Sequence, residues 1–339
     1  MATGRTVIGT INDDILFGTV GDDIISGNGG NDYIRATQGG NDNIDAGSGD
    51  DVVETGLGND TIQGGDGNDI IVDQGGNNTI NGGLGDDQIT TGAGADVIFG
   101  GDGNDRINGG NGNNRINGEL GDDRITTGSG RDQLDGGAGD DGIASGGGDD
   151  IIFGRDGVDT IDAGSGNDTV YGNLGTDFIN GEDGNDFLFG DAGADTITGG
   201  RGDDFLSGGA DADIINSHAN LFNSTAAEKD EMFGGAGADT FNLRSNYRGG
   251  RQALTSTADQ AYAILRDFSI ADGDRLNLLN PIGTYTFVQG DLNGDGVVND
   301  TFITELYTNG TILTQNLVAI VENTNAAALL ASGLVGQVV

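Results

Sequence analysis

TGLGNDTIQ, GGDGNDIIV, DQGGNNTIN, GGLGDDQIT, TGAGADVIF and GGDGNDRIN follow one another without a break over residues 55–108. Each has Gly at its fourth position, Asp or Asn at its sixth and Ile at its eighth. Followed in both directions, the phase holds for 23 successive repeats from Gly9 to Asn216, with one extra residue in the fourth, ATQGGNDNID (36–45). A separate last repeat, GGAGADTFN, occupies 234–242. Across these 24 repeats the sixth position is Asp in all but two, where Asn78 and Asn114 stand, and the eighth is always apolar. A rule that strict is structural.

A lone apolar residue between polar flanks suits a strand of about three residues, with position eight turned inward and positions seven and nine outward. The six residues before it are rich in Gly, Asn and Asp, which form turns and accept positive φ. Strands this short, with a turn every nine residues, do not make a meander. They make a flattened solenoid: two repeats close one coil of 18 residues, and successive coils stack as parallel strands. The expected core is one Ile-rich layer from each face. Along both edges the carboxylates of stacked turns lie within a strand spacing of each other, and they repel unless cations bridge them.

Composition agrees. Of 339 residues 68 are Gly, and 55 acids against 14 Lys and Arg leave a formal charge of −41. The acids are 48 Asp and only 7 Glu, which favours turns and hard-cation ligation over helix. So acidic a chain is a poor partner for nucleic acid or an anionic membrane. It has no Cys, hence no disulfide and no thiolate metal site, and no run of 18 apolar residues, hence no predicted membrane insertion. The opening MATGRTVIGT lacks the basic and apolar regions of a Sec-type signal. With this charge and so little apolar content, the expected state without bound cations is disorder.

The G-G-x-G-x-D-x-U-x pattern resembles that of the RTX (repeats-in-toxin) calcium-binding family, over about two-thirds of the chain. The resemblance implies an all-β, right-handed parallel β-roll of about 11–12 coils with a C-terminal, mainly β cap. It also implies Ca²⁺ between each turn and the turn one coil later, held by turn carbonyls and sixth-position side chains. In the first half of the array these are Asp14, Asp23, Asp32, Asp42, Asp51, Asp60, Asp69, Asn78, Asp87, Asp96, Asp105 and Asn114. Asp123, Asp132, Asp141, Asp150, Asp159, Asp168, Asp177, Asp186, Asp195, Asp204, Asp213 and Asp239 continue the row. Oxygen ligands at high coordination number select Ca²⁺ over Zn²⁺. Bridging each of the 23 turns to the turn two repeats on allows 21 sites, and about 20 divalent ions carry about +40 against the −41 of the chain. Asn78 and Asn114 both fall in even-numbered repeats, so that edge is expected to hold the weaker sites.

The period predicts a lead-in at 1–8, the roll at 9–216, an insertion at 217–233, a last repeat at 234–242, and a cap with its tail at 243–339. In the insertion, Thr225-Ala-Ala-Glu228 has capping-box spacing and predicts a short helix near 225–232. Further on, YAILRDF (262–268), TYTFVQ (284–289), TFITELY (301–307) and LVAIVE (317–322) read as strands. Between two of them, Asp291, Asn293, Asp295 and Gly296 have EF-hand-loop spacing, but Phe302 stands where the twelfth-position Glu belongs. Flanking strands make this a candidate calcium-binding hairpin loop, with Asn299 as a further ligand. AILRDFSIADGDRLNL resembles the segment after the roll in secreted RTX proteins, and the tail AAALLASGLVGQVV resembles their uncleaved type I export signals. By that resemblance the partners are calcium and a type I export machinery, and the location is extracellular or at the cell surface.

Catalysis finds little support. Family rolls often follow a catalytic domain, but here the repeats start at residue 9. The one histidine, His218, lies in the insertion, and neither H-E-x-x-H nor G-x-S-x-G occurs. A two-carboxylate glycosidase would draw on acids already assigned to calcium. Ice binding by a β-roll needs Thr repeated at the third position, which instead reads Val20, Gly29, Ser48, Leu57, Asp66, Leu84 and Asp102. The expectation is a secreted, non-catalytic calcium-binding structural protein of matrix, surface-layer or adhesive type. The alternatives are a carrier module of a secreted hydrolase-like protein and an ice-binding roll.

Two surfaces are also predicted. Outward positions of alternate repeats supply Ile151, Phe153, Tyr171, Phe187, Phe189 and Phe205, an apolar ladder that the insertion, the cap or a partner should meet. The opposite sheet carries Thr160, Asp162, Asn180, Thr196 and Thr198, with Phe178 alone. At the N-terminal end Ile8, Leu16 and Ile25 are expected to line an open first coil, which predicts self-association into dimers or filaments.

Overall fold

The computed structural model describes residues 4–217, 229–243, 262–267, 274–278, 284–290, 300–309 and 312–321. They belong to two compact units, Met1–Thr169 and Val170–Val339. The described residues contain no helix; each unit is a parallel β-roll, and the chain makes about 12 turns of it.

In the N-terminal unit Ile44, Ile62, Ile80, Ile98 and Ile116 stand in register in one sheet. Ile71, Ile89, Ile107 and Ile125 do so in the other. All are removed from solvent. These columns are the core that the eighth position predicts. At its first coil the strand Thr6–Ile8 pairs with Ile24–Ser26 so that Val7 faces Ile25. Val7 is therefore the inward residue, and Ile8, 69% exposed, does not line the opening as expected.

Strands of about three residues are expected throughout, but in this unit one sheet alone keeps to that length. Ile70–Val72, Gln88–Thr90 and Arg124–Thr126 are short, whereas Thr61–Asp66, Thr79–Leu84 and Val97–Asp102 run on through the first three turn positions. Position one differs between most of the long and the short strands. In the long strands it is Gly64, Gly82 or Gly100, and neighbouring coils approach until Gly65, Gly83 and Gly101 pair directly. After these short strands it is Asp73, Thr91 or Thr127, but the correlation is not strict: Ile24–Ser26 and Arg106–Asn108 are short before Gly27 and Gly109, and Asn43–Ser48 is long with Ala46. In the C-terminal unit, where position one is Gly181, Gly190, Gly199 or Gly208, strands of both sheets take the long form.

The predicted helix near 225–232 is absent where its residues are described. Lys229–Ala236 is a strand that pairs in parallel with Phe205–Ala210, Met232 opposite Leu206. TAAEKDEMF (225–233) is a hidden repeat, with Glu228 in place of the fourth-position Gly. Asp230 takes its sixth position, and Met232 is buried in the core. Helices of one or two turns are marginal alone, and burying Met232 outweighs the capping box. His218 lies outside the described residues.

The parallel register continues beyond residue 242, because Leu265 pairs with Met232 and Leu276 with Phe241, both fully buried. SIADGDRLN (269–277) is thus a second hidden repeat, with Asp274 sixth and Leu276 eighth. The other three predicted strands are present as Thr284–Gly290, Asp300–Asn309 and Ile312–Val321, an antiparallel set joined to the roll through Ala263–Leu265. Gly290 faces Asp300, so strands do flank the candidate loop, while Asp291, Asn293, Asp295 and Asn299 lie outside the described residues.

The part of the aromatic ladder that lies in the C-terminal unit forms. Within the C-terminal unit Tyr171 stacks on Phe189 at 5.0 Å, and Phe205 sits 5.8, 5.6 and 5.0 Å from Phe187, Phe189 and Phe233. Phe187 is exposed and the others are half-buried.

Candidate metal centres along the roll edges

Each turn hands its chain from one sheet to the other, and the sixth residue closes it. From Asp23 to Asp239 every sixth-position side chain is buried, and Asp14 in the first turn is half-buried. Their backbone N–H groups donate to Oδ1 of the residue one coil later: Asp51 to Asp69 at 2.8 Å, Asp69 to Asp87 at 2.7 Å, Asp87 to Asp105 at 2.8 Å and Asp105 to Asp123 at 2.7 Å. In the C-terminal unit Asp195 donates to Asp213 at 2.9 Å, and Asp213 to Asp239 at 2.9 Å. A second ladder runs at position five with the opposite polarity. There Asn68 N–H donates to Asp50 Oδ1, Asp86 to Asn68 and Asn104 to Asp86. Each coil is thereby tied to both neighbours.

The inner ladder uses one carboxylate oxygen and leaves the other. Oδ2 of Asp32, Asp51, Asp69, Asp87, Asp105, Asp123 and Asp141 is buried without a hydrogen-bond partner, as is that of Asp195 and Asp213. A buried oxygen in that state is costly, more so when it carries charge. Burial first, and then neighbouring acids, push Asp51, Asp69, Asp105 and Asp141 up to about 6 and Asp87 and Asp123 up to about 7, against the pull of the ladder hydrogen bonds. Arginine does not relieve them. Arg131, Arg155 and Arg201 pair with Asp149, Asp135 and Asp183, which are outer-surface residues of positions five, nine and three.

Where position one of the turn is glycine, the orphaned oxygen faces a second oxygen. A methyl group added at Gly100 would run into both Asp105 Oδ2 and the carbonyl oxygen of Gly118, one coil on. Gly64, Gly82 and Gly118 stand in the same relation to Asp69, Asp87 and Asp123, and Gly190 and Gly208 to Asp195 and Asp213. Gly100 has no positive φ, so space, and not backbone conformation, demands glycine there. Among the described residues no three His, Cys, Asp or Glu side chains converge as a metal-binding group. A cation held at these cradles would find one or two carboxylates there and would need backbone carbonyls to complete its shell. That donor set suits a hard cation such as Ca²⁺ and is foreign to Zn²⁺.

The other edge of the N-terminal unit is built differently. Its first positions hold Thr55, Asp73, Thr91, Thr127 and Ser145, and hydroxyls donate across coils, Thr127 to the Ser145 carbonyl at 2.7 Å and Ser145 to that of Ala163 at 2.5 Å. Asn78 and Asn114 keep the inner ladder, accepting at Oδ1 from Asp60 and Asp96, but present an amide N–H where aspartate has its second oxygen. The Asn114 amide turns back to the Gly112 carbonyl at 3.3 Å.

Several residues of these edges escape the sequence reading. Asp230 and Asp274 carry the ladder on, accepting from Asp204 at 3.2 Å and Asp239 at 3.0 Å. The signal was there, an Asp two residues before a core apolar residue, but neither fourth position is Gly. Asp267 accepts from both Gly234 and Gly235 N–H at 2.8 Å. The position-five ladder escapes the sequence reading as well, because hydrogen-bond polarity leaves no mark on the repeat pattern.

The sequence model of one protein family, the RTX calcium-binding nonapeptide repeat in four copies, matches the chain in overlapping stretches that run from residue 8 to 215, and again over 227–245. No curated protein matches it.

Proposed function

The chain belongs to the RTX calcium-binding nonapeptide-repeat family, and from that premise we propose that it is a secreted, non-catalytic structural protein whose roll is set by calcium. The row of buried Oδ2 atoms over glycine-sized cradles carries this reading. When bound, calcium supplies the positive charge that the edges lack. Sixth-position carboxylates and first-position carbonyls hold it, and the two side-chain ladders keep those oxygens in place. About 20 ions would balance the −41 of the chain. At roughly millimolar extracellular calcium, binding free energy becomes folding free energy, and in a low-calcium cytosol the array stays unfolded, as export requires.

Outside the cell the roll acts as an element of a matrix, surface layer or adhesive. The exposed Ile8, Ile11, Ile15, Phe17 and Ile24 of the first coils support association between rolls. Circular dichroism in chelator and then in calcium tests the reading, with bound calcium counted by atomic absorption. The expected result is disorder in chelator and β-structure with about 20 ions in calcium. An unchanged β spectrum in chelator would refute it. Light scattering across protein concentration tests association, and a hydrolase substrate screen tests the absence of catalysis.

A further inference from the structure

Turn 73–78, DQGGNN, departs from the repeat twice. Asn78 is one of two sixth positions without a carboxylate, and Asp73 is the only acid at any first position of the 24 repeats. The two exceptions fall in one turn. Asn78 spends its Oδ1 on the ladder bond from Asp60, at 2.9 Å, and points its amide at Asp73 Oδ1, at 2.8 Å. Gly75 N–H donates to the same oxygen at 2.7 Å, and Thr55 Oγ1 donates to Asp73 Oδ2 at 2.6 Å. These three donors occupy three of about four lone-pair positions of a carboxylate. All three are neutral, so they orient the charge without cancelling it. Asp73 is 3% exposed.

On either side lie the turns that end in Asp60 and Asp96. Both side chains are buried, and the Oδ2 of each lacks a hydrogen-bond partner. Asp60 lies in the field of Asp73, and Asp73 in that of Asp96. Among the described residues none of the three is ion-paired. Three buried carboxylates without a countercharge do not persist in an apolar roll.

We propose that Asp73 is a calcium ligand, which supplies from position one the carboxylate that Asn78 withholds at position six, for the sites between turn 73–78 and its neighbours. Thr55, Gly75 and Asn78 are its positioning groups, in the way that ligating carboxylates are held by hydrogen bonds. Turn 109–114 shows the contrast. It has Asn114 at position six and Gly109 at position one, so no acid has moved to replace the missing one.

The inference rests on the calcium reading above, and one set of measurements separates the two. Bound calcium at saturation and the calcium midpoint of the β signal are measured on the full chain. The variants are Asp73→Asn, Asp73→Asn/Asn78→Asp and, on the other edge, Asp123→Asn. Asp73→Asn is expected to bind at least one ion fewer and to fold at higher calcium, and the double exchange to restore both values. An unchanged ion count in Asp73→Asn, or a loss that the double exchange does not restore, overturns the proposal and leaves Asp73 a hydrogen-bond acceptor only. If Asp73→Asn fails to fold, the double exchange alone decides: wild-type ion count supports the proposal, and anything lower overturns it. A loss in Asp123→Asn with none in Asp73→Asn sinks this inference alone. A wild-type chain that binds no calcium sinks both.

Discussion

At the scale of single residues, the sixth-position aspartate does two jobs with two oxygens. Oδ1 closes a ladder bond that a neutral amide closes equally well, as Asn78 and Asn114 do. In Asp69, Asp87, Asp105 and Asp123 Oδ2 has no such bond and faces a carbonyl over a first-position glycine. Asp123→Asn should therefore leave the coil register intact and weaken the local calcium affinity by about tenfold or more. Isothermal titration beside a circular dichroism spectrum in saturating calcium checks both halves. Gly100→Ala makes the complementary test. The added methyl meets Asp105 Oδ2 and the Gly118 carbonyl at once, so the carboxylate is displaced although no charge is lost. Overpacking of this kind costs about 1–3 kcal/mol. A higher calcium midpoint and a lower thermal midpoint are expected, and a variant matching wild type in both would show that the cradle has slack.

At the scale of strands and turns, position eight made the inward columns legible, because burial has a period and the eye can count it. The length of each strand was not legible in the same way. Glycine at position one accompanies the long form in most coils, but Asn43–Ser48 takes it with Ala46 and Ile24–Ser26 stays short before Gly27. Pairing between stacked coils sets the length, and one repeat does not reveal it. The hidden repeats at 225–233 and 269–277 were missed for a related reason. Glu228 and Asp272 replace the fourth-position Gly, and a strict pattern rejects them although Met232 and Leu276 still sit in the core. Local capping chemistry pointed to a helix at 225–232, and register with Phe205–Ala210 overrode it. That same strand brings Phe233 against Phe205, which touches three aromatic rings. Aromatic pairs contribute about 0.5–1.5 kcal/mol each beyond burial. Phe205→Ser should thus lower the thermal midpoint of the calcium-loaded protein by several degrees, read by calorimetry. An unaltered midpoint would mean that the ladder serves a partner and not the fold.

At the scale of the whole molecule, folding is a problem of charge, and protons compete with calcium to solve it. In the metal-free fold, burial and then neighbouring acids raise Asp87, Asp123 and Asp213 to about 7 and Asp51, Asp69, Asp105, Asp141 and Asp195 to about 6, from 3.8. Groups raised on folding bind protons more tightly in the folded state. Their contribution is complete below about pH 4, the unfolded value, and is lost as pH rises through 6 to 7. The metal-free roll is consequently expected to be weakest at neutral pH and above, where the proposed calcium would contribute most. Calcium-stripped protein should gain β signal on acidification from pH 7.5 toward about 4.5, with light scattering used to confirm that the gain is intramolecular. Calcium added near pH 6.5 should release protons, since the ion needs the ionised carboxylate, and a pH-stat measures them. Salt makes the control. At about 1 M it screens exposed charges beyond roughly 3 Å, yet it cannot reach an orphaned oxygen inside a turn. Sodium chloride at pH 7.5 should accordingly fail where acid succeeds. If salt restored the β signal as well as acid did, surface repulsion and not the buried Oδ2 row would be what calcium relieves.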